Sequence, residues 1–237
     1  MKQSNSADSH ITYDPALIKE ASPVHFSALY WQKNNAIIGS AKGRGTTWFI
    51  QLEKLQGALR HYQRGGLFGR IIKDHYLFLG WSKTRSLQEF SLLNFLIQQG
   101  VHVPRPIAAL AIKKRFTYQA DLITEKINEA QDLVSILQET TLDADIYKKI
   151  GQEIAKMHQA QVNHSDLNIH NILIDANKKV WIIDFDKCAK QHGNAWKSGN
   201  LQRLKRSFLK EQKKRNILWS NNDWEILKEA YLVASAT

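Results

Sequence analysis

Cysteine is almost missing from this chain of 237 residues, with Cys188 alone. A single thiol excludes an intramolecular disulfide framework and fits a reducing compartment; it reads as an ordinary small residue beside a strand. Long hydrophobic runs are missing too. The apolar stretches 90–97 and 106–112 fall well short of the roughly 18 residues a membrane-spanning helix needs. The first ten residues, Met1 to His10, are polar and lack the apolar run of a secretory signal or anchor. The expectation is a protein that stays in the cytoplasm. Acidic residues are in deficit: 22 Asp and Glu against 33 Lys and Arg leave a net charge of +11. Such a field attracts phosphates, nucleic acid or an anionic membrane surface and carries no information about fold. Repeats and low-complexity segments are absent. What is present, 43% hydrophobic residues, suffices for a real core in one large domain or two small lobes.

Residues 1–30 carry two prolines and few periodic apolar positions, which predicts an irregular arm or a short covering strand. Residues 36–62, rich in β-branched and aromatic side chains and interrupted by Gly43-Arg44-Gly45, read as two or three antiparallel strands with tight turns. Residues 67–81 are aromatic and basic without a clear period, and read equally as a loop or an unusual helix. Phe90, Leu93, Leu96 and Ile97 then fall at helical spacing with Gly100 as a stop, predicting a helix between Arg85 and Gln99. Val103-Pro104-Arg105-Pro106 forbids its continuation, because each proline holds its predecessor in extended geometry. Strand-like runs follow at 107–112 and 116–126.

After Glu129 the pattern changes. Ile146, Ile150, Ile154 and Met157 step by 4, 4 and 3, the mark of a long buried helix ending near His158. Two short strands at 172–174 and 180–183 flank a turn, and helices over 195–215 and 222–234 complete the chain. The fold class is therefore α+β, with an N-terminal antiparallel sheet plus one helix and a mainly helical second half. The chain divides into an arm (1–30), an N-lobe (31–128) and a C-lobe (129–237).

The strongest local signal is His164-Ser165-Asp166-Leu167-Asn168-Ile169-His170-Asn171, a loop between helix and strand, followed after the hairpin by Asp184-Phe185-Asp186. Phosphoryl transfer needs a carboxylate to orient a hydroxyl and accept its proton, and oxygen ligands that fix magnesium against the phosphates. Asp166 fits the first role, Asn171 and Asp184 the second; magnesium is content with one or two protein carboxylates plus phosphate and water oxygens. His158, His164 and His170 recur every six residues, yet without a cysteine or H-x-x-x-H partner they make a poor zinc set. His164 reads instead as a hydrogen-bonding residue behind the loop.

These two motifs resemble the protein-kinase superfamily, whose catalytic loop reads H-x-D-x-x-x-x-N and whose metal-binding strand end reads D-F-G. The resemblance implies a two-lobed kinase-like fold, ATP and Mg2+. Asp186 stands in the glycine position, and Asn168 where protein kinases usually place a lysine. Only 51 residues follow Asp186 (237 − 186), too few for the helical subdomain that holds a peptide, so no protein substrate is expected. More closely, residues 59–66, Val103-Pro104-Arg105-Pro106, Asp166-Leu167-Asn168-Ile169-His170-Asn171-Ile172-Leu173 and Ile183-Asp184-Phe185-Asp186 resemble the lipopolysaccharide kinases, over roughly residues 36–215. Within that family the match is best to members acting on 3-deoxy-D-manno-octulosonic acid (Kdo). This resemblance implies transfer of the ATP γ-phosphate to a hydroxyl, the 4-position, of Kdo on a lipid A precursor.

By the same resemblance, Gly43 and Gly45 form a shortened glycine-rich loop whose backbone N–H groups approach phosphate. Arg60 takes the place of the phosphate-contacting strand lysine, with Glu89 as its helix partner; a plain surface ion pair is the other reading. Glu125 lies at the connection between lobes, where backbone groups would bind adenine. In the helix after Gly193, Leu201, Leu204 and Phe208 form an apolar stripe. Arg203, Lys205, Arg206, Lys210, Lys213, Lys214 and Arg215 stand against one acid, Glu211. This is either a solvated face or a dock for an anionic glycolipid and membrane, with Arg203, Arg206 and Lys210 as candidate acceptor or membrane contacts. The expected place is the cytoplasmic face of the inner membrane, as a peripheral protein that binds no nucleic acid. The competing readings are a heptose kinase of the same pathway, and a non-catalytic pseudokinase or nucleic-acid-binding module, prompted by Asp186 and the charge.

Overall fold

Ile11 and Tyr13, two residues apart and so on one side of an extended chain, are both buried and carry the N-terminal segment into a sheet. The computed structural model describes residues 1–43, 45–64 and 74–236. Strands β1 (Lys2–Asn5) and β2 (Ser9–Tyr13) form a hairpin, followed by a 3-10 turn and the short helix α1 (Ala28–Lys33). Next come β3 (Ile37–Lys42), β4 (Thr46–Gln51), β5 (Gln56–His61), the two-residue β6 (Tyr76–Leu77), helix α2 (Arg85–Gln98), β7 (Pro106–Lys114) and β8 (Thr117–Glu125). All eight strands join one antiparallel sheet in the order β1-β2-β7-β8-β5-β4-β3, with β6 also on β8.

The segment 1–30, expected as an irregular arm or a short covering strand, is largely built into the fold. Its hairpin extends the sheet, and Ala21, Phe26 and Trp31 join Ile11, Ile50, Leu59, Leu110 and Ile123 in a core on one sheet face. Six consecutive residues of β7, 106–111, are buried, as in a strand covered on both faces, where a continuous apolar run replaces alternation. Helix α2 is fastened to the sheet by polar contacts as well: Ser86 Oγ donates to the Leu110 carbonyl at 2.8 Å, and the Arg85 N–H to the Tyr118 hydroxyl at 3.1 Å. Within the stretch 67–81, residues 67–73 lie outside the described residues; the remainder contains β6 and a 3-10 turn at Trp81–Lys83.

The chain separates into two compact units, one comprising Met1–Asn94 and Arg105–Lys126, the other Phe95–Pro104 and Ile127–Thr237. Residues 95–104 thus group with the second unit, unlike the division into 31–128 and 129–237. The reason is polar pairing: the His102 N–H donates to the Glu153 carboxylate, and the His102 carbonyl accepts from the Ile182 N–H.

The second unit continues with β9 (Gln131–Asp132), α3 (Leu133–Glu139), α4 (Ala144–Gln159), β10 (Val162–Asn163), β11 (Ile172–Ile174), β12 (Val180–Ile182), β13 (Ala189–Lys190), α5 (Lys197–Arg215) and α6 (Asn221–Ala236). Ile146, Ile150, Ile154 and Met157 of α4 are all buried, as their spacing predicts. Helix α6 packs against α4 so closely that a Cβ on Gly151 would stand 2.2 Å from the Leu227 carbonyl oxygen. Among the described residues no helix is long and apolar enough to cross a membrane.

Candidate active site

Helix α4 ends at Gln159, Gln161 turns the chain with φ of 57°, and β10 delivers it to His164. The buried imidazole of His164 accepts a hydrogen bond from the Asp166 N–H at Nδ1 (3.3 Å) and meets the Ile183 carbonyl with Nε2 at 3.0 Å. The first partner only donates and the second only accepts, so the ring is held as the neutral Nε2–H tautomer. Burial pushes its pKa down, in keeping with that neutral form.

Asn168 caps a 3-10 turn, Ile169–Asn171: its Oδ1 accepts from the His170 N–H at 2.9 Å while its amide donates to the Asp166 carbonyl at 2.9 Å. Asn171 Nδ2 donates to the same carbonyl at 3.0 Å. The Asp166 main chain is thus held from three sides, and its half-exposed carboxylate is left to act. With the Asn171 amide nitrogen committed as a donor, Oδ1 is the atom that a hard cation would take.

Register brings the third residue alongside. Ile172 pairs with Ile182 across β11 and β12, and the Ile183 N–H donates to the Asn171 carbonyl at 3.0 Å. Asn171 and Asp184 therefore leave the same end of one hairpin. Asp184 has φ of 63°, a left-handed conformation that Asp tolerates better than most residues and that is found disproportionately at functional positions. Among the described residues no three His, Cys, Asp or Glu side chains gather as a preformed metal cage. Magnesium does not need such a cage, because it fills its octahedron mainly from phosphate and water oxygens. The other two histidines of the six-residue series are engaged with protein: His158, in α4, bonds Tyr231 (2.9 Å) and Asn200 (3.2 Å), and His170, in the loop, lies near Asp132 (3.7 Å) and Glu211 (3.5 Å).

Helix α5 supplies two residues that the sequence did not mark for the site, Asn200 and Ser207, and one already marked as a candidate acceptor or membrane contact, Arg203. Asn200 Oδ1 accepts from the His164 N–H at 3.2 Å, Ser207 Oγ accepts from the Ile169 N–H at 3.1 Å, and the Arg203 guanidinium lies 3.8 Å from Asp166 Oδ1. The available signal was a polar row at helical spacing beside the apolar stripe, in which Leu204 and Phe208 are buried and Leu201 partly so. Arg206 and Lys210 are exposed on the same helix, and Glu211, counted against them as the one acid, is only 3% exposed and ion-paired with Arg215 at 3.0 Å. The exposed surface of α5 carries positive charge alone.

In the first unit, Arg60 of β5 and Glu89 of α2 form an ion pair at 2.5 Å, and the Tyr62 hydroxyl donates to the other Glu89 oxygen. Glu89 is 4% exposed, so this pair is internal rather than a surface one. Its desolvated carboxylate holds the guanidinium in place. The Gly43 N–H closes the β3–β4 turn on the Gly45 carbonyl at 2.8 Å and is therefore occupied; Arg44 between them lies outside the described residues. The Glu125 N–H bonds the Arg105 carbonyl and its carboxylate is bidentate with Arg105, while the Lys126 N–H bonds the Gln56 carbonyl.

The chain matches the family model described as lipopolysaccharide kinase (Kdo/WaaP) family over residues 28–231. Proteins named 3-deoxy-D-manno-octulosonic acid kinase are similar to it along almost their whole length. The one from Vibrio parahaemolyticus is 60% identical over 230 residues, covering 97% of each chain. That from Vibrio cholerae is 58% identical over 223 residues, 94% of this chain and 95% of its own. That from Vibrio vulnificus is 56% identical over 231 residues, 98% of each. With the α+β architecture and the loop geometry above, these matches make the chain a phosphotransferase that acts on an alcohol group and a member of the lipopolysaccharide kinase (Kdo/WaaP) family.

Proposed function

We propose that this chain transfers the γ-phosphoryl group of ATP to the 4-hydroxyl of Kdo carried on a lipid A precursor, in lipopolysaccharide core biosynthesis at the cytoplasmic face of the inner membrane. The observation that carries the reading is the bracing of one carboxylate: Asn168 and Asn171 both donate to the Asp166 carbonyl, and His164 links the Asp166 N–H to the carbonyl next to Asp184. Asp166 orients the acceptor hydroxyl and takes its proton as the new oxygen–phosphorus bond forms and the bond to the ADP oxygen breaks. Asn171 and Asp184 hold Mg2+, and Arg60, steadied by Glu89, contacts the nucleotide phosphates bidentately. Magnesium, when bound, supplies the charge that neutralises the phosphate oxygens. Arg206 and Lys210, on the purely basic surface of α5, attract the anionic glycolipid and the leaflet that contains it.

Kdo as acceptor is favoured by the names of relatives above half identity over nearly full length. The test is to incubate the purified protein with labelled ATP and magnesium, offering Kdo-bearing lipid A precursor or heptose-bearing core, with the labelled position read by mass spectrometry. Label on the Kdo 4-position is expected. Label confined to heptose would replace Kdo by the neighbouring sugar, and no magnesium-dependent ATP binding in calorimetry would favour a non-catalytic module.

A further inference from the structure

Four side chains of α5 meet the catalytic loop in the order of the loop itself. Asn200 bonds the His164 N–H, Arg203 faces Asp166, Ser207 bonds the Ile169 N–H, and Glu211 lies beside His170. The steps of 3, 4 and 4 put all four on one helix face. Asn200 and Ser207 are hydrogen-bonded within the protein, Glu211 is ion-paired with Arg215, and the three hold helix and loop in register. Arg203 differs. Its side chain is 47% exposed, that of Asp166 is 46% exposed, and 3.8 Å between them exceeds a hydrogen bond. A guanidinium with five donors therefore stands beside the base, open to the space in which an acceptor must place its hydroxyl. From His164 to Asn171 the loop has no lysine or arginine, and Asn168, two residues after Asp166, is neutral and caps the turn.

We infer that Arg203 binds the carboxylate of a sugar-acid acceptor and thereby selects an acidic sugar over a neutral one. The inference rests on the reading of Kdo as acceptor. Numbered from its carboxyl carbon, an octulosonic acid carries that carboxylate on a ring carbon two positions from the one bearing the 4-hydroxyl. One guanidinium–carboxylate fork would fix the sugar while Asp166 engages the hydroxyl. A heptose, lacking the acid, would leave Arg203 without its partner.

The test compares Kdo-bearing lipid A precursor with its carboxamide counterpart, using the intact protein, Arg203→Ala and Arg203→Lys. The intact protein should lose about 10- to 100-fold in kcat/KM on the amide, mostly through the acceptor KM, the range of a charge-assisted hydrogen-bonding pair. Arg203→Ala should lose a similar factor on the acid and nothing further on the amide, with the ATP KM unchanged and part of the loss recovered in Arg203→Lys. An equal loss on both acceptors would overturn the inference, placing Arg203 on the transferred phosphoryl group or on Asp166 itself. So would an amide used as well as the acid by the intact protein, a comparison that needs no variant to fold. If only heptose-bearing acceptor is labelled, the Kdo reading fails first and the inference with it.

Discussion

His164 Nε2 donates to the Ile183 carbonyl at 3.0 Å across nineteen residues of sequence. Through the same ring, the Asp166 N–H is tied to the strand end that carries Asp184. The imidazole is thus a positioning group, and His164 and Asp166 should respond differently to mutation.

Asp166→Ala should lower turnover by roughly 10²- to 10⁴-fold, the range for a lost general base, with little change in thermal midpoint because its carboxylate is half exposed. His164→Ala should lower both: emptying a fully buried site and unpairing two main-chain groups costs about 2–4 kcal/mol. Urea unfolding alongside a phosphorylation assay separates the two cases. Near-normal turnover in a folded Asp166→Ala protein would remove it from the role of base.

Stability should fall on both sides of neutrality through two histidines of opposite sign. Burial pushes His158 down to about 4, so its contribution is present above its unfolded value near 6.5 and is lost as pH falls toward 4. Hydrogen bonding to Asp121, with help from Asp74 and against partial burial, pushes His61 up to about 9; its contribution is complete below about 6.5 and is lost as pH rises through 9. Thermal midpoints measured from pH 4.5 to 9.5 should show His158→Gln flattening the acid limb and His61→Gln the alkaline one. Unchanged limbs in both variants would assign the pH dependence to other groups.

Gly151→Ala should destabilise the protein strongly, by about 3 kcal/mol or more, as overpacking does where backbone rather than a flexible side chain is in the way. Its new Cβ would meet the Leu227 carbonyl oxygen at 2.2 Å and the Tyr231 nitrogen at 2.9 Å. Gly199, whose Cβ would meet nothing within 4 Å, is the control: Gly199→Ala, inside α5, should be neutral or slightly stabilising in chemical denaturation.

Removing charge from α5 should weaken attachment to anionic membranes. Each basic side chain near an acidic leaflet contributes about 1 kcal/mol, so Arg206→Ala with Lys210→Ala should reduce binding to phosphatidylglycerol-containing vesicles roughly 30-fold in sedimentation at low salt. Equal binding by the double variant would leave that face merely solvated.

Much of this protein is written locally. The loop from His164 to Asn171 and the buried stripe of α4 could be read directly, because the residues that must cooperate lie within a few positions and share a backbone period. The strands 107–112 and 116–126 were legible for the same reason, their apolar side chains announcing an extended run between turn residues. Other features depend on partners that no local period announces. The hairpin of residues 2–13 is held by β7, about a hundred residues away, and the sequence alone left an irregular arm and a short covering strand equally open. His61 draws its charge from Asp74 and Asp121, 13 and 60 positions along. Gly151 reads as a flaw in a helix until α6 lies on it. Nothing local marks Asn200 and Ser207 for the loop, and Arg203 fits a solvated face as well as a dock, until α5 lies along the loop. Patterning determines which segments become helix or strand and which residues carry chemistry. Which distant main-chain group or charge each one meets is decided by packing, since a buried polar atom gains only from the partner that the tertiary arrangement brings within hydrogen-bonding distance.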